Sequence, residues 1–431
     1  MRIGLAFPEL GVHRIEHFLN IFKNYNSKLD LIIFPEGFES IATTRQINPE
    51  NILNDTNFNA IVTKYSDISN NNGIGIILGI QVDYGNVTVN GKGNDQYCIF
   101  LAKNIRPVLY HKHSTSRFNA FLDNNWSIQN NFPVVELNNK KIGISICHDS
   151  YISIIQRVLQ KKGAQIWVNI SYRNVRPRIW ESVMQTRSIE NNIISICTLH
   201  RDSTKSNAQS EPYAFSERGK IILRNIENNN NINDINFNER TGKIYYLDTE
   251  QFLVSHLENP TESTLAESAK QILINRDNMQ FHVTDLQNME LNSYHIADVS
   301  VSEFFYNPEV LWQTSAKNLD CKPLFVIKLN QDEWNVNRNK ILSIIRGRII
   351  EFSTLFLFVD SANLNHIFLA GYRSSNYKDS RIFFPEYFPI TIDERYLKGL
   401  ESTYDISLKD PRMNNKNQYF KKILQTLNYI L

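Results

Sequence analysis

Short apolar runs alternate with longer amphipathic stretches through the first 251 residues. The runs at 3–7, 31–34, 74–80, 98–102, 142–146, 166–170 and 193–198 have the length and apolar density of buried strands. After the first run, Ile15, Phe18, Leu19 and Phe22 recur at i, i+3, i+4 and i+7, which predicts a helix over 12–24. Strands alternating with helices predict an α/β sandwich.

The pattern changes after Gln251. Pro260 followed by Thr264-x-x-Glu267 reads as a helix start with a capping box, and 256–320 reads as a polar connecting segment with short helices. A second organised block fills 321–431. In it, 324–329 predicts a strand and 333–352 a helix with Ile341, Leu342, Ile345 and Ile349 on one face. Residues 355–359 and 366–370 suggest a hairpin, so this block is a smaller α/β or α+β domain of no assigned type. Arg348-Ile349-Ile350-Glu351 echoes Arg187-Ser188-Ile189-Glu190, but four residues are too few for a repeat, and the echo reads as coincidence. The asparagine-rich run 225–238 has little to bury and reads as an exposed loop.

Composition narrows the picture further. A chain of 431 residues exceeds a usual single domain, so two are expected. Its 46 basic and 44 acidic residues give a net charge of +2, with no global pull toward nucleic acid or an anionic membrane. Cys98, Cys147, Cys197 and Cys321 are widely spaced, without a CxxC pair or a His/Cys ligand cluster. Free thiols in a reducing cytosol fit better than disulfides or zinc. The first residues carry no long apolar core of a signal peptide, and no run approaches the ~20 apolar residues of a spanning helix. The expectation is a soluble cytoplasmic protein.

Three apolar runs end abruptly in chemistry. Leu31-Ile32-Ile33-Phe34-Pro35 ends in Glu36, Pro107-Val108-Leu109-Tyr110-His111 leads into Lys112, and Lys141-Ile142-Gly143-Ile144-Ser145-Ile146 delivers Cys147. A carboxylate, an ammonium and a thiol in that order form a kit for acyl transfer. Each residue alone has a duller explanation: a core cysteine, a turn glutamate, a solvated lysine.

Taken together, Glu36, Lys112 and Cys147 match the three signatures of the nitrilase superfamily, the carbon–nitrogen hydrolases, which the chain resembles from Met1 to about Gln251. Further matches follow in register. Gly79 stands at the end of the Ile76-Ile77-Leu78 strand, Arg187-Ser188-Ile189-Glu190-Asn191-Asn192 resembles a family helix, and Phe215-Ser216-Glu217-Arg218-Gly219-Lys220-Ile221-Ile222 resembles its late hairpin. The resemblance implies a four-layer αββα sandwich and thiol-dependent hydrolysis of a small linear amide or N-carbamoyl compound, with no metal or organic cofactor. Amide is preferred over nitrile because amide and carbamoyl activities dominate the resembled superfamily. Cys147 would be the nucleophile, Glu36 the general base, and Lys112 the oxyanion donor together with the backbone N–H of His148. Arg187 and Glu190 would hold the fold together as a buried pair. A homodimer through helical faces is the implied assembly, with the appended domain either capping such a face or lying across the pocket.

The chain departs from the family in places. Many members carry a second glutamate that orients the lysine, and none is evident. Asp123, in Phe121-Leu122-Asp123, is the candidate substitute, with a reach shorter by one carbon–carbon bond, ~1.5 Å. Glu136 reads as a strand or edge residue, Asp149 as a loop-fixing residue, and Cys98 as a core thiol. Tyr172, Arg173 and Arg176 lie where the family pocket is often lined. The arginines suit a carboxylate or phosphate on the substrate, and equally a solvated loop or a subunit contact. A second reading is a nitrilase-like domain with weakened turnover that binds a ligand as a sensor, with the C-terminal domain as its output. Arg373, Lys378 and Arg381 with Phe383 and Phe384 permit a protein or nucleic-acid partner there without requiring one.

Overall fold

The computed structural model describes residues 1–11, 15, 16, 18, 29–43, 49–84, 94–113, 132–172, 177–202, 211–223, 242–249, 294–308, 310, 311, 314, 322–352, 355–361, 366–373 and 381–383. The chain divides into two compact units, Met1–Met184 with Asn192–Asn259, and Gln185–Asn191 with Pro260–Leu431. The fold is mixed α/β.

The first unit opens with β1 (Arg2–Pro8), β2 (Leu31–Ile33), β3 (Glu39–Ala42), β4 (Gly75–Asp83), β5 (Asn94–Ala102) and β6 (Ile105–His111). β1, β2 and β4 pair in parallel, and the chain then returns antiparallel through β5 and β6. Leu31, Ile32 and Ile33 are fully buried, as a continuous apolar run in a central parallel strand requires. Helix α1 (Thr56–Asn72) starts at Asp55, whose carboxylate accepts from the N–H groups of Asn57 and Phe58, both at 3.0 Å. It ends at Gly73 in the left-handed conformation (φ 62°). Its buried stripe of Phe58, Val62 and Tyr65 joins Ile76, Leu78 and Ile80 of β4 in one apolar core.

A second sheet holds β7 (Val134–Leu137), β8 (Lys140–Ile146), β9 (Ile166–Ile170), β10 (Ile194–Thr198), β11 (Tyr213–Phe215) and β12 (Ile221–Leu223). β8, β9 and β10 are parallel, joined through α2 (Ser153–Lys161) and α3 (Pro177–Asn191). The expected hairpin is β11–β12, where the Ser216 hydroxyl accepts from the N–H groups of Arg218 and Lys220. Glu136 lies exposed on β7, at the sheet edge. Strand β13 (Gly242–Asp248) returns to the first sheet beside β1. The Thr198 hydroxyl donates to the carbonyl of Ala6, tying β10 to β1.

The second unit has one five-stranded sheet of β14 (Tyr294–Val299), β15 (Lys322–Leu329), β16 (Leu355–Asp360), β17 (His366–Arg373) and β18 (Arg381–Phe383), with α4 (Val301–Tyr306) and α5 (Gln331–Phe352). Phe304 of α4 meets Phe356 and Phe358 edge-on, and Phe325 stacks on Phe356 at 5.1 Å. Ile341, Ile344 and Ile345 of α5 are buried.

Two sequence expectations need correction. The span 256–320 is not merely connecting, because β14 pairs in parallel with β15 along its whole length. As an edge strand it buries Ala297 and Val299 and exposes Asp298, so its apolar signal is diluted. Gly79 does not end a strand, because β4 runs on through it to Asp83. The expected helix start near Pro260, the run 225–238, Cys321, Lys378 and Phe384 lie outside the described residues. No described helix is long and apolar enough to cross a membrane.

Candidate active site

Glu36, Lys112 and Cys147 come together, although they are far apart in sequence. Each stands just past a strand: Glu36 after β2, Lys112 after β6 and Cys147 after β8. Lys112 Nζ lies 2.7 Å from Glu36 Oε1, and the pair is nearly sealed from solvent, with side chains 12% and 4% exposed. The other carboxylate oxygen, Oε2, accepts the backbone N–H of Tyr172 at 2.8 Å. The Cys147 thiol is hydrogen-bonded to Glu36 and lies within reach of the Tyr172 N–H and the Lys112 charge.

Local backbone puts the two acidic partners there. Cys147 has φ of 48°, a left-handed conformation costly for a residue with a side chain, at the first position of the 3-10 turn Cys147–Tyr151. Strain of this kind persists only where surrounding contacts enforce it, and Asn169 of β9 supplies one. Its amide donates to the Cys147 carbonyl at 3.1 Å and to the Ser145 hydroxyl at 3.0 Å. Glu36 needs a different device. A Cβ on Gly79 would come 2.2 Å from the Pro35 carbonyl oxygen and 2.6 Å from the Glu36 Cα, so only glycine lets β4 pass that backbone. Across the first unit, His200 Nε2 lies 2.9 Å from the Glu36 carbonyl oxygen.

Asp149 fastens the thiol's turn to the lysine's strand. It is fully buried, accepts the Tyr110 hydroxyl at 2.7 Å and the His113 N–H at 3.3 Å, and so grips both sides of Lys112.

The electrostatics follow from this packing. Burial pushes the Cys147 thiol up to about 12, and the Glu36 charge adds to the shift while Lys112 and the Tyr172 N–H oppose it. The resting sulfur is therefore protonated at neutral pH, with a carboxylate beside it. Burial works against the Lys112 ammonium; ionised Cys147 would oppose that loss most strongly, and at neutral pH the charges of Glu36 and Asp149 with the Glu36 hydrogen bond keep the lysine charged.

His148 follows Cys147 in the same turn and is buried. Tyr172, read as a pocket residue, is partly exposed and meets Glu36 through its main chain. Asp123, Arg173 and Arg176 lie outside the described residues. The sequence reading passed over Asn169, Tyr110, His113 and His200. Asn169 alone left a signal, as a polar residue inside the otherwise apolar run Ile166-Trp167-Val168-Asn169-Ile170. The others bond main chain or a carboxylate from distant segments, which no local pattern reports. Among the described residues no three His, Cys, Asp or Glu side chains gather as metal ligands.

A model of the carbon–nitrogen hydrolase family matches residues 8–242, more than half of the chain, and that span carries all three site residues. The chain belongs to the carbon–nitrogen hydrolase family. Similar solved structures include an amidase from Nesterenkonia sp., 14% identical over 57% of this chain and 89% of that one, with a TM-score of 0.39. Nit3 of Saccharomyces cerevisiae, a member of branch 10 of the nitrilase superfamily, is 14% identical over 57% of this chain and 89% of its own, at TM-score 0.42. A carbon–nitrogen hydrolase from Helicobacter pylori G27 is 16% identical over 58% and 90%, at 0.41. No curated protein matches the chain.

Proposed function

We propose that this carbon–nitrogen hydrolase acts on small linear amides or N-carbamoyl compounds through an acyl-enzyme at Cys147. The observation that carries the reading is the contact set of one carboxylate: Glu36 touches Lys112, the Tyr172 N–H and the Cys147 thiol together. A protonated thiol beside a buried carboxylate suits attack with concerted proton transfer. Sulfur bonds to the carbonyl carbon as its proton passes to Glu36, and the carbonyl electron pair moves onto oxygen. The Lys112 ammonium and the His148 N–H receive that oxyanion. The tetrahedral adduct collapses, the carbon–nitrogen bond breaks, and Glu36 returns the proton to the departing amine. Water then gives a proton to Glu36 as it attacks the thioester, and the carboxylic acid leaves as Cys147 recovers its proton.

Intact-protein mass spectrometry and ammonia release over a panel of small amides test this. The expected result is turnover of one or more amides with a transient acyl adduct, both lost in Cys147→Ala. Absence of any adduct, together with a Cys147 no more reactive than Cys98 and Cys197, would overturn the reading.

A further inference from the structure

One connection pattern occurs three times in this chain. In each case a strand pairs in parallel with a second and the second in parallel with a third, and the chain then doubles back through two antiparallel strands. The sets are β1-β2-β4-β5-β6, β8-β9-β10-β11-β12 and β14-β15-β16-β17-β18. Crossover connections are common enough that topology alone would be weak grounds for a repeat. The register of a short motif strengthens it.

Arg187-x-x-Glu190 sits on α3, the helix between the second and third strands of its set, and Arg348-x-x-Glu351 sits on α5, in the same slot of the third set. Each arginine stands seven residues before the third strand begins, at Ile194 and at Leu355, and each helix ends one residue after the glutamate. Matching connection order and matching register are together poorly explained by coincidence.

The third set has lost the chemistry. Where the second set has Cys147 directly after its first strand, the third has Ser300, whose hydroxyl is engaged with Glu303 in the capping box of α4. Where the first set has Glu36, three residues past its second strand, the third has Asp332, exposed in the first turn of α5.

What the third set has kept is a helix-packing surface. The second unit includes the last seven residues of α3, Gln185–Asn191, and within the single chain every one of them is buried. Glu190 is gripped from two sides, by Arg187 at 2.7 Å and by Arg348 at 2.5 Å, with all three side chains fully buried. Arg348 also donates to the carbonyls of Phe304 and Phe305 at the end of α4. One residue earlier, a Cβ on Gly347 would come 2.3 Å from Thr186 Oγ1, so the glycine permits the close crossing. The Thr186 hydroxyl in turn donates to the Ile344 carbonyl.

We infer that the C-terminal unit is a third, catalytically silent copy of the half-domain, and that Gly347 and Arg348 of its long helix are the seat for the end of α3.

Full-length protein carrying Thr186→Cys and Gly347→Cys tests the seat. The two Cβ positions lie about an ångström closer than the ~3.8 Å of a relaxed disulfide, within reach of a small shift. Mild oxidation is expected to link the two helices within one chain, at monomer mass, with the joined peptides recovered by digestion. A link between two chains, or no link, would overturn the inference. If the double variant does not fold, hydrogen exchange on Arg348→Gln decides. The expected result is exchange at 185–191 at least tenfold faster than in wild type, and unchanged protection there would overturn the proposal.

Discussion

Two buried glutamates, Glu36 and Glu190, are put to opposite uses by their surroundings. Glu36 and Glu190 each hold a cation at 2.7 Å, Glu36 just past β2 and Glu190 near the end of α3. Glu190 gives its second oxygen to another guanidinium, Arg348, so both oxygens face charges that never deprotonate. Glu36 gives its second oxygen to a backbone N–H and keeps a thiol beside it. A carboxylate saturated by two arginines can only hold structure. One that shares a lysine and borders a protonated sulfur can move a proton. The difference lies in the partners, since the residue type and burial are the same.

The same substitution at the two sites should separate these roles most sharply. Glu36→Gln is expected to lower kcat by ~10²–10⁴, the usual worth of a positioned general base, with little change in the urea midpoint. Glu190→Gln should leave two arginines without their counter-charge and cost about 3–5 kcal/mol in urea unfolding, with turnover per folded molecule retained. If the two variants instead lose activity and stability in the same proportion, the comparison fails.

Gly79→Ala comes next in size. The added methyl collides with the main chain of Pro35 and Glu36, so the carboxylate must shift relative to Cys147. Misplacement on the ångström scale costs ~10²-fold in rate, and steady-state kinetics on the best amide from the panel would measure it. A wild-type kcat would show that the site tolerates more play than its packing suggests.

A further effect is expected on stability at alkaline pH. Cys147 and Cys197 are pushed up to about 12 and Cys98 is pushed up as well, chiefly by burial. In the unfolded chain these thiols titrate near ~8.5, so above that pH the unfolded state releases protons that the folded state retains. Stability should therefore fall as pH rises from ~8.5 toward 12, gradually, and Cys98→Ala should flatten part of the slope. Urea midpoints between pH 7 and 10 would show it, and a flat profile would mean that the thiols are less buried than described.

Much of the first unit was legible because buried parallel strands are nearly continuous apolar runs, and a polar residue that ends such a run stands out. Glu36, Lys112 and Cys147 are all of this kind. Strand β14 was missed because an edge strand buries only alternate residues and exposes Asp298 between them. The Arg348 motif was visible but uninterpretable, since its meaning lies in its distance from a strand whose limits only the fold defines.

By itself, then, the sequence marked the residues proposed to carry chemistry and their order, because residue type and hydrophobic period are local properties. Tertiary structure alone decided that one carboxylate meets both the lysine and the thiol, that Gly79 makes room for it, and that Gly347 and Arg348 close on Gln185–Asn191. Those are contacts between segments distant in sequence, settled by shape and by the need to compensate buried charge, and neither leaves a periodic trace along the chain.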